Sequence, residues 1–514
     1  MKWVNGFESF PETEMLAVLG NKDLPSRQKN VNELVTALER LEHQASKANQ
    51  DTGPMRKAFV RFFELAVAQQ PPVDLSVFLT PGIRAGLVPV SHPDSGSIFI
   101  DAAAKNRQGS PTLAIRNYCC AERCFVGAGE SERGKSALVE VGKVIDGYLG
   151  ENGIKDRPID LESDRRKLAE LRSSLVEKGR SVGVEVTSRK FRDFTAAIYQ
   201  ECLEAFGVNP DDQTMMLLGS GSRNEMFAYS DLEFAVLHDK NYDTTALRKA
   251  LVLFEMRITA LGETPLGVEM QKPIAEGFCF DPGGNSPGLG GKGFIGTPEM
   301  VFSNFSDKDL IEKEVLTSVQ ALVGPKDDKR FGEYLSLVDE TLRSPVTDKT
   351  LTQGGNYAIA NLKDQIKSFG QKSPIVIGKL EEGEVFDAKK LSRFPVFLAS
   401  VLCKYHGVSC KHTNTEDRLG QLLKIGAISR EEHDTLVEAF EEFGNLRMFA
   451  EDHFKGQIHH VRIGGETDQE ALAIDRKQLE PISDLIGQLN RIYQKAIVFA
   501  EHPPQGFEKT TENL

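Results

Sequence analysis

The sequence has few cysteines, and it has no cluster of cysteine and histidine with the spacing of a zinc site. The seven cysteines in 514 residues are an odd number, and only Cys119, Cys120 and Cys124 lie close together. A disulfide framework is therefore not indicated, and we expect the reduced, partly buried thiols of a cytoplasmic protein. The pair His459-His460 has no second pair to complete a metal site, so we interpret both as histidines at the surface or at a helix end.

Long apolar runs and an excess of basic charge are also missing. No run approaches the roughly 18 apolar residues that a transmembrane helix needs, and the first residues, MKWVNGFESFPETE, lack the apolar stretch of a signal peptide. The formal net charge is −13. Electrostatic binding to nucleic acid needs clustered lysine and arginine side chains, so this charge disfavours it. Composition therefore predicts a soluble protein without a membrane partner, and it disfavours nucleic acid as a partner.

Length and periodicity predict several domains. A chain of 514 residues is too long for one ordinary core. Helical periodicity in residues 30–48 and 55–69 indicates a mainly helical amino-terminal domain, 1–160, of unknown role. Residues 161–325 combine helices with two short apolar runs typical of strands, and helical periodicity then dominates residues 326–505. Residues 506–514 are expected to be a frayed tail. The sequence thus favours an α+β fold, with a mixed sheet and flanking helices between two mainly helical domains.

The segment from Leu217 to Leu237 carries the pattern with the clearest chemistry. Gly219 follows the first apolar run and lets the backbone turn tightly, so that loop N–H groups and the Ser220 hydroxyl can surround phosphate oxygens. Asp231 and Glu233 belong to the next predicted strand, and alternation along a strand points both carboxylates the same way. Two such carboxylates repel each other, but they suit Mg²⁺, which takes carboxylate and phosphate oxygens together.

These motifs resemble those of the nucleotidyltransferase superfamily. The order Gly-Ser-x-x-Arg-x-Glu followed by Ser-Asp is similar to the amino-terminal catalytic region of protein-PII uridylyltransferases, and more closely to the DUF294 family. Gly277-Phe278 and Gly283-Gly284 resemble a later pattern of that family. Lys404–Gly407, Thr415–Leu419 and Leu446-Arg447 resemble its helical substrate-binding domain. The resemblance covers roughly residues 160 to 505.

The resemblance implies a nucleotidyltransferase-like fold and a metal-dependent transfer of a nucleoside monophosphate from a nucleoside triphosphate to a hydroxyl acceptor. A protein side chain is one candidate acceptor, as in uridylylation or adenylylation. Mg²⁺ or Mn²⁺ is the implied cofactor. A third acid would serve as the base, and neither candidate for it sits in a clear signature. The implied site residues are Asp231 and Glu233 for metal and catalysis, Glu269 or Asp281 as the third acid, and Gly219, Ser220, Ser222 and Arg223 for the nucleotide. Glu225 is expected to orient the loop.

Two other functions stay open at this point. The missing third-acid signature, with glutamate at position 233 where aspartate is commoner, also fits a catalytically degenerate protein that senses nucleotides. Residues 129–136 match the P-loop pattern, in which Lys135 would contact phosphates. Glu130 and Glu132 would place negative charge beside that phosphate, and no later strand ending in an acid supports a metal there. A P-loop NTPase is therefore the lesser alternative.

Two arginines in the helical part could belong to the site. Arg418 and Arg447 lie on mainly apolar predicted helices. Such an arginine most often extends toward solvent or pairs with a nearby acid, although it can also reach across a cleft toward phosphate. We treat pairing as the main expectation for both.

Overall fold

The computed structural model describes residues 93–155, 157, 159–177, 180–263, 278, 295–303, 317–346, 351–370, 373–468 and 471–502. The predicted helices at 30–48 and 55–69 lie outside the described residues. The chain divides into two compact units, Met1–Arg165 with Leu247–Gly291, and Arg166–Ala246 with Lys292–Leu514. In the described part of the chain, no helix is both long enough and apolar enough to cross a membrane.

The protein has an α+β fold that is mainly helical and contains small sheets. The helices, in chain order, are α1 Pro93–Asn106, α2 Pro111–Gly127, α3 Ser131–Glu151, α4 Leu161–Ser173, α5 Val184–Ala205, α6 Gly219–Ser222, α7 Thr245–Ala260, α8 Pro298–Ser303, α9 Lys329–Arg343, α10 Gln353–Ser368, α11 Pro374–Ile377, α12 Ala388–Tyr405, α13 Thr415–Lys424, α14 Arg430–Phe454 and α15 Leu479–Glu501. The strands are β1 Val176–Glu177, β2 Arg180–Ser181, β3 Gln213–Leu218, β4 Phe234–His238, β5 Ile295–Gly296, β6 Val319–Val323, β7 Val385–Asp387, β8 His460–Ile463 and β9 Leu472–Ile474. Short 3₁₀ turns cover Pro210–Asp212 and Arg476–Gln478.

The first unit buries three cysteines of α2 in a helical core. Cys119, Cys120 and Cys124 on α2 are free thiols and are fully buried. Burial raises the pKa of Cys119 and of Cys124 to about 12, so both stay protonated and unreactive at neutral pH. The expectation of reduced, buried thiols is confirmed for these cysteines. A buried ion pair between Arg257 and Asp164, at 2.8 Å, joins two segments of this unit.

The second unit contains a four-stranded mixed sheet with the order β5-β4-β3-β6. The central strand β3 is antiparallel to both β4 and β6, and β4 is parallel to β5. All residues of β3 and β4 are buried, which explains why both strands read as continuous apolar runs in the sequence. Helix α9 packs its apolar face, including Tyr334 and Val338, against Met216 and Leu237 of the sheet.

The carboxy-terminal helices of this unit share one large apolar core. Helices α10, α12, α14 and α15 bury residues such as Phe394 and Phe443 in it. Their starts are fixed by side-chain caps. Asp387 caps α12, Asn414 caps α13, and Ser429 forms a capping box with Glu432 at α14, each worth about 1 kcal/mol. The predicted helical character of residues 326–505 is confirmed, since α9 to α15 cover most of the described residues in this range.

Candidate active site

The glycine-serine corner and the acidic pair lie in one cleft of the second unit. The cleft has a volume of about 270 Å³, and Gly219, Ser220, Asp231 and Glu233 all line it. Leu232, between the two acids, is fully buried and does not line the cleft. The acids occupy the extended lead-in to β4, because the Leu218 N–H donates to the Glu233 carbonyl at 3.0 Å and prolongs the sheet there. Strand alternation thus places both carboxylates on the cleft side.

Gly219 allows the second acid to reach the corner. Its φ is +54°, in the left-handed region, and a Cβ atom built on it would overlap the Glu233 carboxylate. Glycine therefore satisfies two requirements at this position, since it tolerates the turn and leaves room for the acid. The corner and Glu233 are in direct contact as a result.

We expect Gly219→Ala to lower the free energy of unfolding by at least about 1–2 kcal/mol, because alanine disfavours the left-handed conformation and displaces Glu233. Chemical denaturation of the purified protein measures this. Gly420→Ala is the matched control, since Gly420 lies within α13 with open space around the added methyl group. An equal effect of the two substitutions would show that the corner is not constrained in the way described.

The loop after the corner is anchored to the start of α13. Glu225 is buried, and its two carboxylate oxygens accept from the Thr415 N–H at 2.6 Å and from Arg223 Nε at 2.8 Å. The Asn414 side chain also donates to the Arg223 carbonyl at 3.1 Å. Glu225 thus orients the loop, as the sequence indicates, and holds Arg223 at the wall of the cleft.

Ser222 differs from its expected role as a nucleotide contact. Residues Gly219–Ser222 form one helical turn, and the Ser222 hydroxyl donates back to the Gly219 carbonyl at 2.8 Å. The Ser222 side chain is fully buried and does not line the cleft. The physical reason is the turn itself, which directs the third side chain after Gly219 into the protein. Ser222 therefore stabilises the corner, and Ser220 is the serine of the corner that lines the cleft.

Two cationic side chains from α12 line the same cleft. Lys389 and Arg393 are four residues apart, so they share one face of the helix. Among the residues that the structure describes, neither cationic group has an ion-pair partner within 4.0 Å. Burial and the positive charges of Arg447 and Arg393 lower the pKa of Lys389. Partial burial, followed by the charges of Arg223 and Arg447, lowers the pKa of Arg393. Mutually repelling cations of this kind fit an anionic ligand.

Arg447 also lines the cleft, and a buried acid holds it in place. Its Nε donates to Glu451 Oε1 at 2.7 Å, and its guanidinium lies 3.9 Å from the centre of the Phe227 ring. Burial by itself would raise the pKa of Glu451, but the charge of Arg447 and the contact with His459 lower it to about 2. The expectation that Arg447 pairs with an acid is confirmed, and the same side chain faces the cleft.

The interpretation of His459 as a surface or helix-end residue is wrong. His459 is buried just before β8, and its Nε2 lies 3.2 Å from Glu451 Oε1. His460, the next residue, is exposed on the strand. The local sequence does not show that His459 is buried and His460 exposed, because Glu451 of α14 meets His459 only in the folded chain.

A scan of the sequence against protein-family models matches no family, and a search of curated proteins finds no significant relative. Within the described ranges, no three His, Cys, Asp or Glu side chains converge closely enough to hold a metal ion by themselves. Asp231 and Glu233 supply two carboxylates, which is the protein contribution that Mg²⁺ commonly takes when phosphate and water complete its shell.

Gln457 is a further cleft residue that the sequence did not indicate. Its amide donates to Asp231 Oδ1 at 3.0 Å and to the Tyr229 carbonyl at 2.6 Å. Gln457 thus fixes the orientation of the first acid. It lies in the short connection between α14 and β8, where no periodicity or motif marks it. Lys389 and Arg393 were not predicted as site residues either, although a spacing of four residues in a range of helical periodicity places both on one helix face.

The cleft, as the structure describes it, does not include the other predicted site residues. Glu269 and Asp281, the third-acid candidates, are outside the described residues. Lys135 belongs to the first unit, on an exposed face of α3, and its ammonium group bonds to Glu132 at 2.7 Å. Arg418 donates to the His412 carbonyl and to the Ser318 hydroxyl and does not line the cleft.

The P-loop alternative lacks the secondary structure that its pattern requires. A P-loop follows a strand, whereas the residues before Gly129 form helix α2, which ends at Gly127. The Ser136 hydroxyl, which would hold a metal, donates to the Glu132 carbonyl within α3. The match at residues 129–136 therefore covers the end of a helix-helix connection and the first turns of α3, and its agreement with the motif is coincidental.

Proposed function

We propose that this protein is a metal-dependent nucleotidyltransferase with a nucleotidyltransferase-like mixed sheet. The observation that carries the proposal is the convergence of three features in one cleft: the Gly219-Ser220 corner, the acids Asp231 and Glu233, and the cations contributed by α12. A nucleoside triphosphate needs backbone and hydroxyl donors, cations for its phosphates and carboxylates for its metal. The cleft combines all three in one place.

The acidic pair fits a divalent cation. Both side chains offer hard oxygen donors, and Gln457 already orients one of them. Asp231 and Glu233 would hold Mg²⁺ or Mn²⁺, which would activate the attacking hydroxyl and neutralise charge on the departing pyrophosphate.

The remaining cleft residues would bind and orient the nucleotide. Lys389, Arg393 and Arg223 are suited to the charged phosphate oxygens, and the Ser220 hydroxyl to a phosphate beside the corner. In the proposed reaction, the acceptor oxygen forms a bond to the α-phosphorus, and the bond from that phosphorus to the bridging oxygen of pyrophosphate breaks. The hydroxyl proton passes to a base, for which Glu269 and Asp281 are the candidates from the sequence.

The acceptor is defined only by its reacting group. A hydroxyl of a protein side chain is one candidate, by the resemblance to uridylyl- and adenylyltransferases. The net charge of −13 disfavours tRNA. The proposal therefore names an NTP as one substrate and a hydroxyl compound or protein as the other.

The direct test is a nucleotide panel. The purified protein is incubated with labelled ATP, UTP, CTP or GTP and with Mg²⁺ or Mn²⁺, and pyrophosphate release and nucleotidylated products are measured, the latter by mass spectrometry. We expect one nucleotide to bind with a metal-dependent affinity. Failure of all four nucleotides to bind would refute the site.

A regulatory protein that binds nucleotides without turnover is the second candidate. Glutamate at position 233 favours it, because the side chain is one methylene longer than the commoner aspartate. Calorimetry would then show nucleotide affinity, and a separate assay would show no pyrophosphate release with any extract that supplies acceptors. That combination would favour this function over the transferase.

Removing the two α12 cations should weaken nucleotide binding. We expect the double variant Lys389→Met with Arg393→Met to bind the preferred nucleotide at least about 100-fold more weakly, because each charge-assisted contact contributes roughly 1.5–3 kcal/mol. Isothermal titration calorimetry measures the change. Lys390→Met is the matched control, since Lys390 is exposed on the same helix and does not line the cleft. Unchanged affinity in the double variant would remove these cations from the phosphate site.

A further inference from the structure

One face of helix α12 lines the candidate active site along more than two helical turns. The residues of α12 in the cleft lining are Lys389, Ser392, Arg393, Val396 and Phe397. Their spacing of three and four residues places them on one stripe of the helix. Phe397 lies about 12 Å further along the helix axis than Lys389, at the usual rise per residue. The stripe can therefore contact different parts of an elongated ligand.

The amino-terminal end of the stripe is charged and lies near the acidic pair. Burial and neighbouring cations lower the pKa of Lys389, and the negative charge of Asp231 acts in the opposite direction. Burial and neighbouring cations also lower the pKa of Arg393, and the negative charge of Glu233 opposes them. Each of the two cations is thus close enough to one of the acids for its charge to act. The phosphates and the metal of a bound nucleotide belong at this end.

The carboxy-terminal end of the stripe is apolar and aromatic. Val396 and Phe397 are both half-buried and line the cleft. The ring of Phe397 packs against the rings of Phe369 and Phe394, with centroid separations of 5.8 Å and 5.4 Å. These contacts fix the ring in place while part of its surface stays accessible. A rigid aromatic surface at the end of a charged cleft suits a flat ring with apolar faces.

Gln365 of α10 adds a polar group beside this aromatic end. It lies one helical turn before Phe369, whose ring contacts Phe397, and it lines the cleft. Gln365 is half-buried, and its side-chain amide has no hydrogen-bond partner among the residues that the structure describes. A glutamine amide offers both a donor and an acceptor group, so it can bond to a ligand edge that carries both.

The order of these groups along the cleft matches the order of parts in a nucleoside triphosphate. Charged phosphates stand at one end of that molecule, and at the other end a flat base has apolar faces and a polar edge. Proteins commonly hold a single base by stacking and by hydrogen bonds to its edge. We propose that Val396 and Phe397 form the subsite for the base and that Gln365 binds its edge and determines which nucleotide is preferred. This subsite depends on the proposed transferase function, because it belongs to the same cleft.

Inorganic tripolyphosphate separates the two ends of the cleft experimentally, because it has the phosphates of a nucleotide without the base. Tripolyphosphate and the four nucleotides are titrated calorimetrically into the full-length protein with Mg²⁺. We expect the preferred nucleotide to bind at least about tenfold more tightly than tripolyphosphate. Phe397→Leu should weaken binding of every nucleotide about tenfold and leave tripolyphosphate binding unchanged. Phe499→Leu is the matched control, since Phe499 is half-buried on α15, contacts the Tyr405 ring and does not line the cleft.

Gln365→Glu tests the selection of the base. A carboxylate only accepts hydrogen bonds, and guanine is the base that presents two adjacent N–H donors on one edge. We therefore expect the affinity for GTP to rise at least about tenfold relative to the affinities for the other three nucleotides. The relative affinity is the readout because the added negative charge repels every triphosphate. Gln494→Glu, an exposed position on α15, makes the same chemical change outside the cleft and should leave the order of affinities unchanged.

The outcomes distinguish the base subsite from the transferase proposal. Nucleotides that bind no more tightly than tripolyphosphate would overturn the subsite and leave the phosphate site intact. An unchanged order of nucleotide affinities in Gln365→Glu would overturn it as well, and so would equal weakening of tripolyphosphate and nucleotides in Phe397→Leu. Circular dichroism of each variant verifies the fold. If neither tripolyphosphate nor any nucleotide binds the wild type, the proposed function itself fails.

Discussion

Asp231→Asn and Glu233→Gln, each alone, are expected to lower nucleotide turnover at saturating nucleotide by a factor on the order of 10²–10³. Both substitutions keep the side-chain shape and remove the negative charge that would bind the metal. Lys389 and Arg393 line the same cleft, so the loss of either acid makes the charge of the cleft more positive. Metal-free nucleotide binding should therefore persist or tighten while turnover is lost.

The measurement combines pyrophosphate release with a Mn²⁺ titration. In each variant we expect the Mn²⁺ concentration for half-maximal activity to rise, which a merely destabilised fold would not produce. Asp239→Asn is the control, because Asp239 follows the same strand, β4, at its other end and does not line the cleft. Wild-type turnover and wild-type metal dependence in both active-site variants would contradict the proposed function.

Glu451→Gln should strongly destabilise the second unit although it leaves the size of the side chain unchanged. Removing one partner of a buried pair leaves Arg447 without its counter-charge, at a cost of about 3–5 kcal/mol. Glu442→Gln, on the same helix but exposed, should change the free energy of unfolding by less than about 0.5 kcal/mol. Urea denaturation at pH 7 compares the two variants with the wild type.

The same ion pair makes the free energy of unfolding depend on pH in the acid range. The pKa of Glu451 is about 2 in the fold, below its ordinary value of 4.5, so its ionised form favours folding. That contribution, on the order of 3 kcal/mol, is complete above about pH 5 and is lost as the pH falls from 5 toward 2. We expect a flatter stability profile over this range in Glu451→Gln. A wild-type slope in the variant would mean that other carboxylates control acid unfolding.

Local sequence determined the core of the candidate site because its parts are close in the chain. Backbone geometry alone predicts a tight turn at Gly219 and places Asp231 and Glu233 on the same side of their strand. Because the two strands are neighbours and antiparallel, they bring the corner and the acids together. Helix periodicity determined α12 to α15 in the same way, since each helix repeats its apolar stripe over many residues.

Only the tertiary structure decided which distant side chains complete the cleft. Lys389 and Arg393 could have been an ordinary solvated helix face, and only the folded chain places them in the cleft with Gly219. Gln457 and His459 depend on the chain returning after α14 to contact Asp231 and Glu451. Periodicity records which face of an element is buried, but it carries no information about which residue of another element meets that face. Ion pairs and ligand sites depend on these contacts between elements, and for this protein only the folded chain shows them.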